Sequence, residues 1–512
     1  MQPSRKSKSK AEFGDFQTPA ALAREVCRLL SVRGVTPTTI VEPTCGNGSF
    51  LFAALEEFST ASSALALDIN PGYVAKVRAE LNARPLLHKV RVIEADFFDT
   101  DWPSLLRGLE DPILFLGNPP WVTNADLGAL GSSNLPKKSN FQNRSGLDAI
   151  TGKSNFDISE WMVTRSLEWL DGRSGTLAML CKTAVARKVL CHAWRTGLQL
   201  SRADMLRIDA VRHFNAAVEA CLLICDLAPG GRSKECSFYS SLQRETPDQV
   251  FGFRESLLVA DVDAYDQWKH LRGEECYRWR SGIKHDCKNV MEFQKEGQLF
   301  RNGLGELVEL EDTCIYPMLK SSGLANGVLR EQKRWMLVTQ RSIGEDTASL
   351  ATRAPLTWDY LQRHASAFDR RASSVYRGRP QFSVFGVGEY TFAPWKVATS
   401  GFYKKLGFKV IGPIMGKPVV FDDTCYFLPC KTKEEAEYIA SLLNSGPAAE
   451  FFRSFIFWDS KRPITIELLR QLDLLLLSRE LGSEKTLLGF LRDQVSHQFS
   501  PASRNLSLFV SG

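Results

Sequence analysis

The sequence predicts an α/β protein: an open parallel sheet with helices on both faces, followed by a mixed α+β second half. Three observations predict it. Over the first 230 residues, short apolar runs alternate with amphipathic stretches of helical spacing. Several of those runs, such as Thr39–Glu42 (TIVE) and Ala64–Asp68 (ALALD), are apolar almost throughout rather than at every second position. That is the pattern of strands covered on both faces, as in parallel sheets. Near residue 230 the rhythm breaks at APGGRSKE, and the chain beyond is richer in Arg, Trp and Phe with less regular periodicity.

The elements follow in order. Thr18-Pro19 reads as a helix N-cap with proline at the first helical position, and Leu22, Val26, Leu29 and Leu30 then share one helical face. Thr39–Glu42 is the first strand, followed by a glycine-containing turn and a helix from the region of Phe50. Ala64–Asp68, Val90–Ala95 and Ile113–Leu116 are the second, third and fourth strands. Asp157–Leu170 is helical, Gly175–Leu180 returns as a strand, and Ala220–Asp226 is a late strand of the same sheet. Residues 125–155, containing GSSNLPKKSNFQNRSG, read as a long polar surface loop. The expected organisation is a basic flexible tail over 1–12, a first domain over 13–230 and a second over 231–512, helical from about 433.

Composition bounds the function. Of 512 residues, 44% are hydrophobic and 24% charged, as in a soluble globular protein, and no apolar run approaches a membrane span. The N-terminus lacks the apolar stretch of a signal peptide, so a cytoplasmic protein without membrane association is expected. The net charge of +6 permits a polyanionic partner without requiring one. Arg5, Lys6, Lys8 and Lys10 read as a solvated tail. The 12 cysteines include no CxxC pair and the 7 histidines show no ligand spacing, so no metal site is expected and the thiols are free.

Four motifs carry chemistry. The first is Val41-Glu42-Pro43-Thr44-Cys45-Gly46-Asn47-Gly48-Ser49-Phe50, at a strand-to-helix junction. Its glycines allow a ligand close to the backbone. Its acid would repel a pyrophosphate, but suits the cationic amino or sulfonium group of S-adenosylmethionine. The second is Asp68, at the end of the next strand and 26 residues after Glu42, placed to accept from ribose hydroxyls. The third is Glu94-Ala95-Asp96-Phe97-Phe98, where Asp96 could accept from an adenine amino group and Phe97 could stack on its ring. Each has an ordinary reading as a strand end; their order along one sheet raises them together. The fourth is Gly117-Asn118-Pro119-Pro120-Trp121, after the fourth strand. The Asn118 side-chain oxygen and the Pro119 carbonyl can each accept one hydrogen of an amino group whose lone pair is delocalised into its ring. That draws the nitrogen toward tetrahedral geometry. The proline pair stiffens the backbone, and Trp121 offers a flat face to an extruded base.

These residues resemble the gamma-class, TaqI-like N6-adenine DNA methyltransferases of restriction–modification systems. Phe13-Gly14-Asp15-Phe16-Gln17-Thr18-Pro19 matches the Thr-Pro motif that lies N-terminal to the glycine motif in that family. The resemblance implies a Rossmann-like class I S-adenosylmethionine-dependent methyltransferase sheet with a C-terminal target-recognition domain. It implies cofactor contacts at Thr18, Glu42, Cys45, Gly46, Asp68, Ile69, Asp96, Phe97 and Asn118. It implies catalysis at Asn118, Pro119, Pro120 and Trp121, with Phe214 as a second aromatic at the base. Trp121 stands where the family often has Tyr, keeping the flat face. Asn rather than Ser at 118 favours adenine over the N4 of cytosine. In the second half, Cys314–Lys320, Arg377-Gly378-Arg379-Pro380, Phe385–Tyr390 and Ala393–Val397 resemble the recognition region. Independently, Arg370, Arg371, Arg377, Arg379, Lys396, Lys404 and Lys405 interleave with Phe368, Tyr376, Phe382, Phe385, Tyr390 and Trp395. Such a pattern suits phosphate contacts and base stacking, although each residue singly reads as ordinary surface or core.

Pro429-Cys430 matches the dipeptide of cytosine C5 methyltransferases, but lies far C-terminal and without a catalytic acid motif, so Cys430 reads as buried or incidental. Because the Thr-Pro motif begins at Phe13, any cognate endonuclease is expected as a separate chain. The expected partner is double-stranded DNA, bound by a monomer. The competing readings are a ribosomal RNA or protein-glutamine methyltransferase, which share the Asn-Pro-Pro chemistry, and a DNA-binding regulator with a degenerate catalytic half.

Overall fold

The computed structural model describes residues 16–84, 89–122, 157–326 and 334–498. The expected basic tail and the polar loop over 125–155 lie outside the described residues. The chain folds as two compact units, Met1–Val262 and Asp263–Gly512.

The first unit is built on one ten-stranded sheet. Its elements are α1 (Ala20–Val32), β1 (Thr39–Glu42), α2 (Ser49–Glu57), β2 (Ser63–Asp68), α3 (Pro71–Asn82), β3 (Lys89–Glu94), α4 (Trp102–Arg107) and β4 (Ile113–Gly117). After them come α5 (Ile158–Leu170), β5 (Gly175–Lys182), α6 (Thr183–Thr196), β6 (Leu200–Ile208), α7 (Ala210–Phe214), β7 (Ala220–Leu227), β8 (Glu235–Tyr239), β9 (Gln249–Arg254) and β10 (Leu257–Val259). The strand order is β10-β9-β8-β6-β7-β5-β4-β1-β2-β3. Strands β1 to β5 are mutually parallel. β1, β4 and nearly all of β5 and β7 are buried, which is why they read as continuous apolar runs. The chain leaves β1 toward β2 on one side, with β4 on the other. That reversal creates a crevice at the carboxyl ends, where open α/β sheets bind ligands.

Three expectations are corrected. Helix α1 starts at Ala20, with Pro19 rather than Thr18 at the N-cap and no side-chain cap bond. Proline fixes the turn into the helix through its φ of −59°, which leaves the Thr18 hydroxyl unused by the helix. The sheet is not wholly parallel: β7 runs antiparallel to both β5 and β6, because the stretch 209–219 between β6 and β7 is too short for a parallel crossover. Finally, the expected boundary at 230 is a turn inside the first unit. Beyond it β8 pairs parallel with β6, and β9 and β10 extend the same sheet. Trp194 on α6 packs against Phe251 and Phe253, at ring distances of 6.1 and 6.3 Å.

The second unit is mixed. One sheet, of β12 (Glu292–Glu296), β13 (Leu299–Asn302), β14 (Leu307–Val308), β15 (Ile315–Leu319), β16 (Arg334–Leu337) and β19 (Val420–Phe421), has the order β14-β13-β12-β16-β15-β19, and another has the order β11-β20-β17-β18. The strands of the latter are β11 (Arg280–Ser281), β17 (Trp395–Ser400), β18 (Lys409–Ile411) and β20 (Cys425–Cys430). From Lys433 onward the described elements are all helical. Among the described residues no helix is long and apolar enough to cross a membrane.

Because Phe251 is 1% exposed, Phe251→Ala should cost about 3–5 kcal/mol, measured by denaturant unfolding of the whole chain.

Candidate active site

The glycine turn after β1 is tied down from two sides. Gly46, at φ +49°, occupies the left-handed region, and its N–H donates to Asp68 Oδ2 at 2.7 Å. A Cβ there would meet the Gln17 side chain at 2.5 Å, so glycine lets the segment before α1 close over the turn. Gln17 Oε1 accepts from the Asn47 backbone and side-chain nitrogens, each at 2.9 Å. Asp68 Oδ1 also accepts from Asn70 N at 2.8 Å.

Glu42 ends β1 and is 2% exposed. Its Oε2 accepts from Leu51 N, in the first turn of α2, at 2.8 Å. Burial pushes the Glu42 carboxyl well above the usual carboxylate range. The Leu51 bond opposes that rise, and the nearby Asp68 charge adds to it.

Asn118 follows β4. Its Nδ2 donates to the Phe16 carbonyl at 2.9 Å. A backbone carbonyl only accepts, so the amide must turn its NH2 toward Phe16 and its oxygen away. That oxygen, Oδ1, is buried without a hydrogen-bond partner. The Trp121 Nε1 donates to Leu180 O at 3.3 Å. Its ring packs edge-on against Phe214 at 5.0 Å, and Phe16 lies 6.0 Å from Trp121 and 6.4 Å from Phe214. Lys182, ending β5, donates to Trp121 O at 3.0 Å and Asp157 Oδ2 at 2.5 Å. Asp157 in turn caps α5 by accepting from Ser159 N at 3.1 Å. Lys182 therefore pins the end of the Asn-Pro-Pro-Trp segment to the start of α5.

A cavity of about 470 Å³ opens at this carboxyl edge, within the range of small-molecule sites. Thr18, Glu42, Cys45, Gly46, Asp68, Ile69, Asp96, Phe97, Asn118 and Pro120 all line it. Pro119, Trp121 and Phe214 do not. Trp121 is only 5% exposed and Phe214 9%, so neither ring presents the open face expected of Trp121. Phe97 lines the cavity while packing against Trp102, Trp161 and Trp169, and Asp96 Oδ1 accepts from Phe98 N at 2.8 Å. Sequence reasoning missed Phe16, Gln17, Thr44, Asn70, Tyr73 and Met162 in the lining. Phe16 and Gln17 directly precede the Thr-Pro dipeptide, which was the available signal. Thr44 Oγ1, like Asn118 Oδ1, is buried without a partner. The orphaned amide oxygen calls for a ligand that donates a hydrogen bond, and the orphaned hydroxyl for a partner of either kind.

The basic–aromatic pattern of the second half separates into two kinds. Arg371 lies over the Phe368 and Tyr376 rings and donates to the carbonyls of Ser383 and Gln381. Lys396 is 1% exposed and donates to Ala393 O at 2.7 Å, and burial pulls its ammonium down to about 7. These two are spent inside the unit rather than offered to phosphates. Arg370, Arg377, Arg379, Lys404 and Lys405 are exposed. Cys430 is 2% exposed and burial pushes its thiol far up, so it offers no thiolate.

An open α/β sheet of this order, with its cavity at the carboxyl ends of β1, β2 and β4, is the class I S-adenosylmethionine-dependent methyltransferase fold. A solved structure, the type IIL restriction-modification enzyme MmeI in complex with DNA, superposes with a TM-score of 0.53 over 94% of this chain and 70% of that one, at 12% identity. No family model matches the chain. The type II methyltransferase M.NspV of a Nostoc species is 44% identical over 476 residues, 92% of this chain and 98% of that protein. The type II methyltransferase M.XamI of Xanthomonas campestris pv. amaranthicola is 33% identical over 115 residues, 22% of this chain and 21% of that protein. The chain belongs to the type II methyltransferases, and its cofactor is S-adenosylmethionine.

Two outcomes follow from this geometry. A carboxyl whose folded-state pKa is raised contributes most below its unfolded value and loses that contribution as pH climbs through the raised one. The melting temperature of the wild type should therefore fall relative to that of Glu42→Gln as pH rises above the ordinary carboxylate range; parallel pH profiles would contradict the buried acid. Lys182→Met leaves the largely buried Asp157 carboxylate without its cation and should cost about 1–3 kcal/mol. Adding Asp157→Asn should recover part of that loss, read as the coupling in a double-mutant cycle.

Proposed function

We propose that this chain transfers a methyl group to the N6 amino group of an adenine turned out of duplex DNA, at a short sequence read by its second unit. The observation that carries the reading is the orphaned Asn118 Oδ1 beside the cavity. Oδ1 accepts one amino hydrogen and the Pro119 carbonyl accepts the other. Together they draw the nitrogen out of the plane of the ring and free its lone pair. Neither group holds a proton at neutral pH, so the proton lost from nitrogen passes to solvent. Residues Pro119 and Pro120 keep the acceptors from reorganising as charge develops.

S-adenosylmethionine supplies the electrophilic methyl group. Glu42 faces its cationic end, and binding a cation draws that carboxyl back toward ionisation. Asp68 and Asp96 accept from its ribose hydroxyls and adenine amino group. Thr18, Cys45, Gly46 and Ile69 complete the walls, with Phe97 against the ring. Thr44 Oγ1 fits a donor of the same ligand. At the target base, Trp121 and Phe214 part to exchange their mutual contact for stacking on the purine, with Phe16 as a third wall. Opening the base pair costs a few kcal/mol, which that stacking offsets.

The second unit is the target-recognition element, and Arg370, Arg377 and Arg379 are exposed candidates for its phosphate contacts. The enzyme acts as a monomer, as suits an asymmetric target. A separately encoded endonuclease is the expected companion.

Long-read sequencing of DNA from cells expressing the chain should find N6-methyladenine at one position of a recurring short sequence; N4-methylcytosine there would overturn the adenine assignment. Unmodified DNA, with protein that still binds S-adenosylmethionine, would point to RNA or protein as substrate. Asn118→Ala should keep cofactor affinity and lower turnover about 100- to 1,000-fold or more. Turnover within a few-fold of wild type would remove Asn118 from the mechanism.

A further inference from the structure

The turn leaving β17 has an unusual surface. Among the described residues, Phe402 and Tyr403 are the exposed aromatic side chains, at 36% and 37%, and they are consecutive. Lys404 and Lys405 follow them, both exposed. The Arg462 guanidinium lies 4.6 Å over the Phe402 ring, next to the exposed Lys461. None of these four cations makes an ion pair among the described residues.

The rings are held out by a built turn. Ser400 Oγ accepts from the backbone nitrogens of both Phe402 and Tyr403, each at 3.3 Å. Gly401 N donates to Thr424 O at 2.9 Å, and a Cβ on Gly401 would lie 2.9 Å from the Tyr426 ring. The turn is thus anchored flat on β20, and its next residues are forced outward. Exposing two adjacent aromatic rings forfeits their burial energy. Surrounding them with unpaired cations adds mutual repulsion. Both costs are relieved by one kind of partner, a polyanion that also carries flat apolar faces.

We propose that the turn Ser400–Lys405, with Lys461 and Arg462, is a duplex-DNA contact in which the cations take backbone phosphates and Phe402 and Tyr403 pack against bases uncovered where the duplex opens. This rests on the reading of the chain as an enzyme acting on duplex DNA. Arg462 serves both parts, since it stacks on Phe402 while keeping a positive charge beside Lys461.

The test is binding of the full chain to a fluorescein-labelled mixed-sequence duplex with a short central unpaired bubble, by anisotropy over a salt series. In Lys404→Ala with Lys405→Ala, the slope of log K against log salt should shrink in magnitude by about 1.8, from about 0.9 per phosphate contact. In Phe402→Ala with Tyr403→Ala, the slope should hold while affinity falls about tenfold. Both variants should bind S-adenosylmethionine as the wild type does, because no cavity-lining residue is changed. Wild-type affinity and slope in both variants would overturn the contact while leaving the DNA reading intact. A wild-type chain that binds the cofactor but ignores the duplex would overturn both.

Discussion

The hydrogen bond from the Asn118 amide to the Phe16 carbonyl fixes the orientation of that side chain at the cavity. An asparagine side chain is nearly symmetric in shape, and either end could face a cavity. A main-chain carbonyl as neighbour removes the ambiguity, because it can only accept. The amide nitrogen is consumed, and the oxygen is left buried without a partner. Such an atom costs about 1–3 kcal/mol of unrecovered desolvation, which is recovered when a donor enters. An aspartate at 118 would set two acceptors face to face at Phe16, and a serine would not reach across. The segment before α1 therefore serves the active site twice, orienting Asn118 through Phe16 and closing the glycine turn through Gln17.

The same economy governs the acids. Glu42 and Asp68 stand at adjacent strand ends, and each accepts from backbone N–H groups. A backbone donor fixes a carboxyl group without neutralising it. In Glu42 the ionisation of that carboxyl is disfavoured by burial. A lysine or arginine partner there would have stabilised the ligand-free protein and spoiled the pocket.

Much of this was legible. β1, β2, β4, β5 and β7 announced themselves because a strand covered on both faces has no polar positions to hide it. β6 did not, because its buried Asp204 and flanking arginines read as surface. In the fold, Arg33, which follows α1, and Arg202 pair with Asp204. The nine candidate cofactor residues all reach the cavity because strand ends and the turns after them are local features of sequence. The roles of Phe16, Lys182 and Asp157 arise only from contacts between distant segments, which spacing cannot encode. In the second unit Arg371 and Lys404 look alike in sequence, yet one is spent on main-chain carbonyls and the other is exposed.

The reversed strand explains how Phe214 comes to Trp121. β6 runs parallel to β5, and the Ile208 end of β6 pairs with Ala220, where β7 begins. Ala220 also pairs with Lys182, at the carboxyl end of β5. The connection 209–219 therefore stays at the carboxyl edge, beside the turn that carries Asn118, and α7 sets Phe214 against Trp121 there. A parallel β7 would have needed its connection to cross to the opposite edge of the sheet before the strand began. The short connection that spoils the parallel pattern is thus what brings Phe214 against Trp121, beside the turn that carries Asn118.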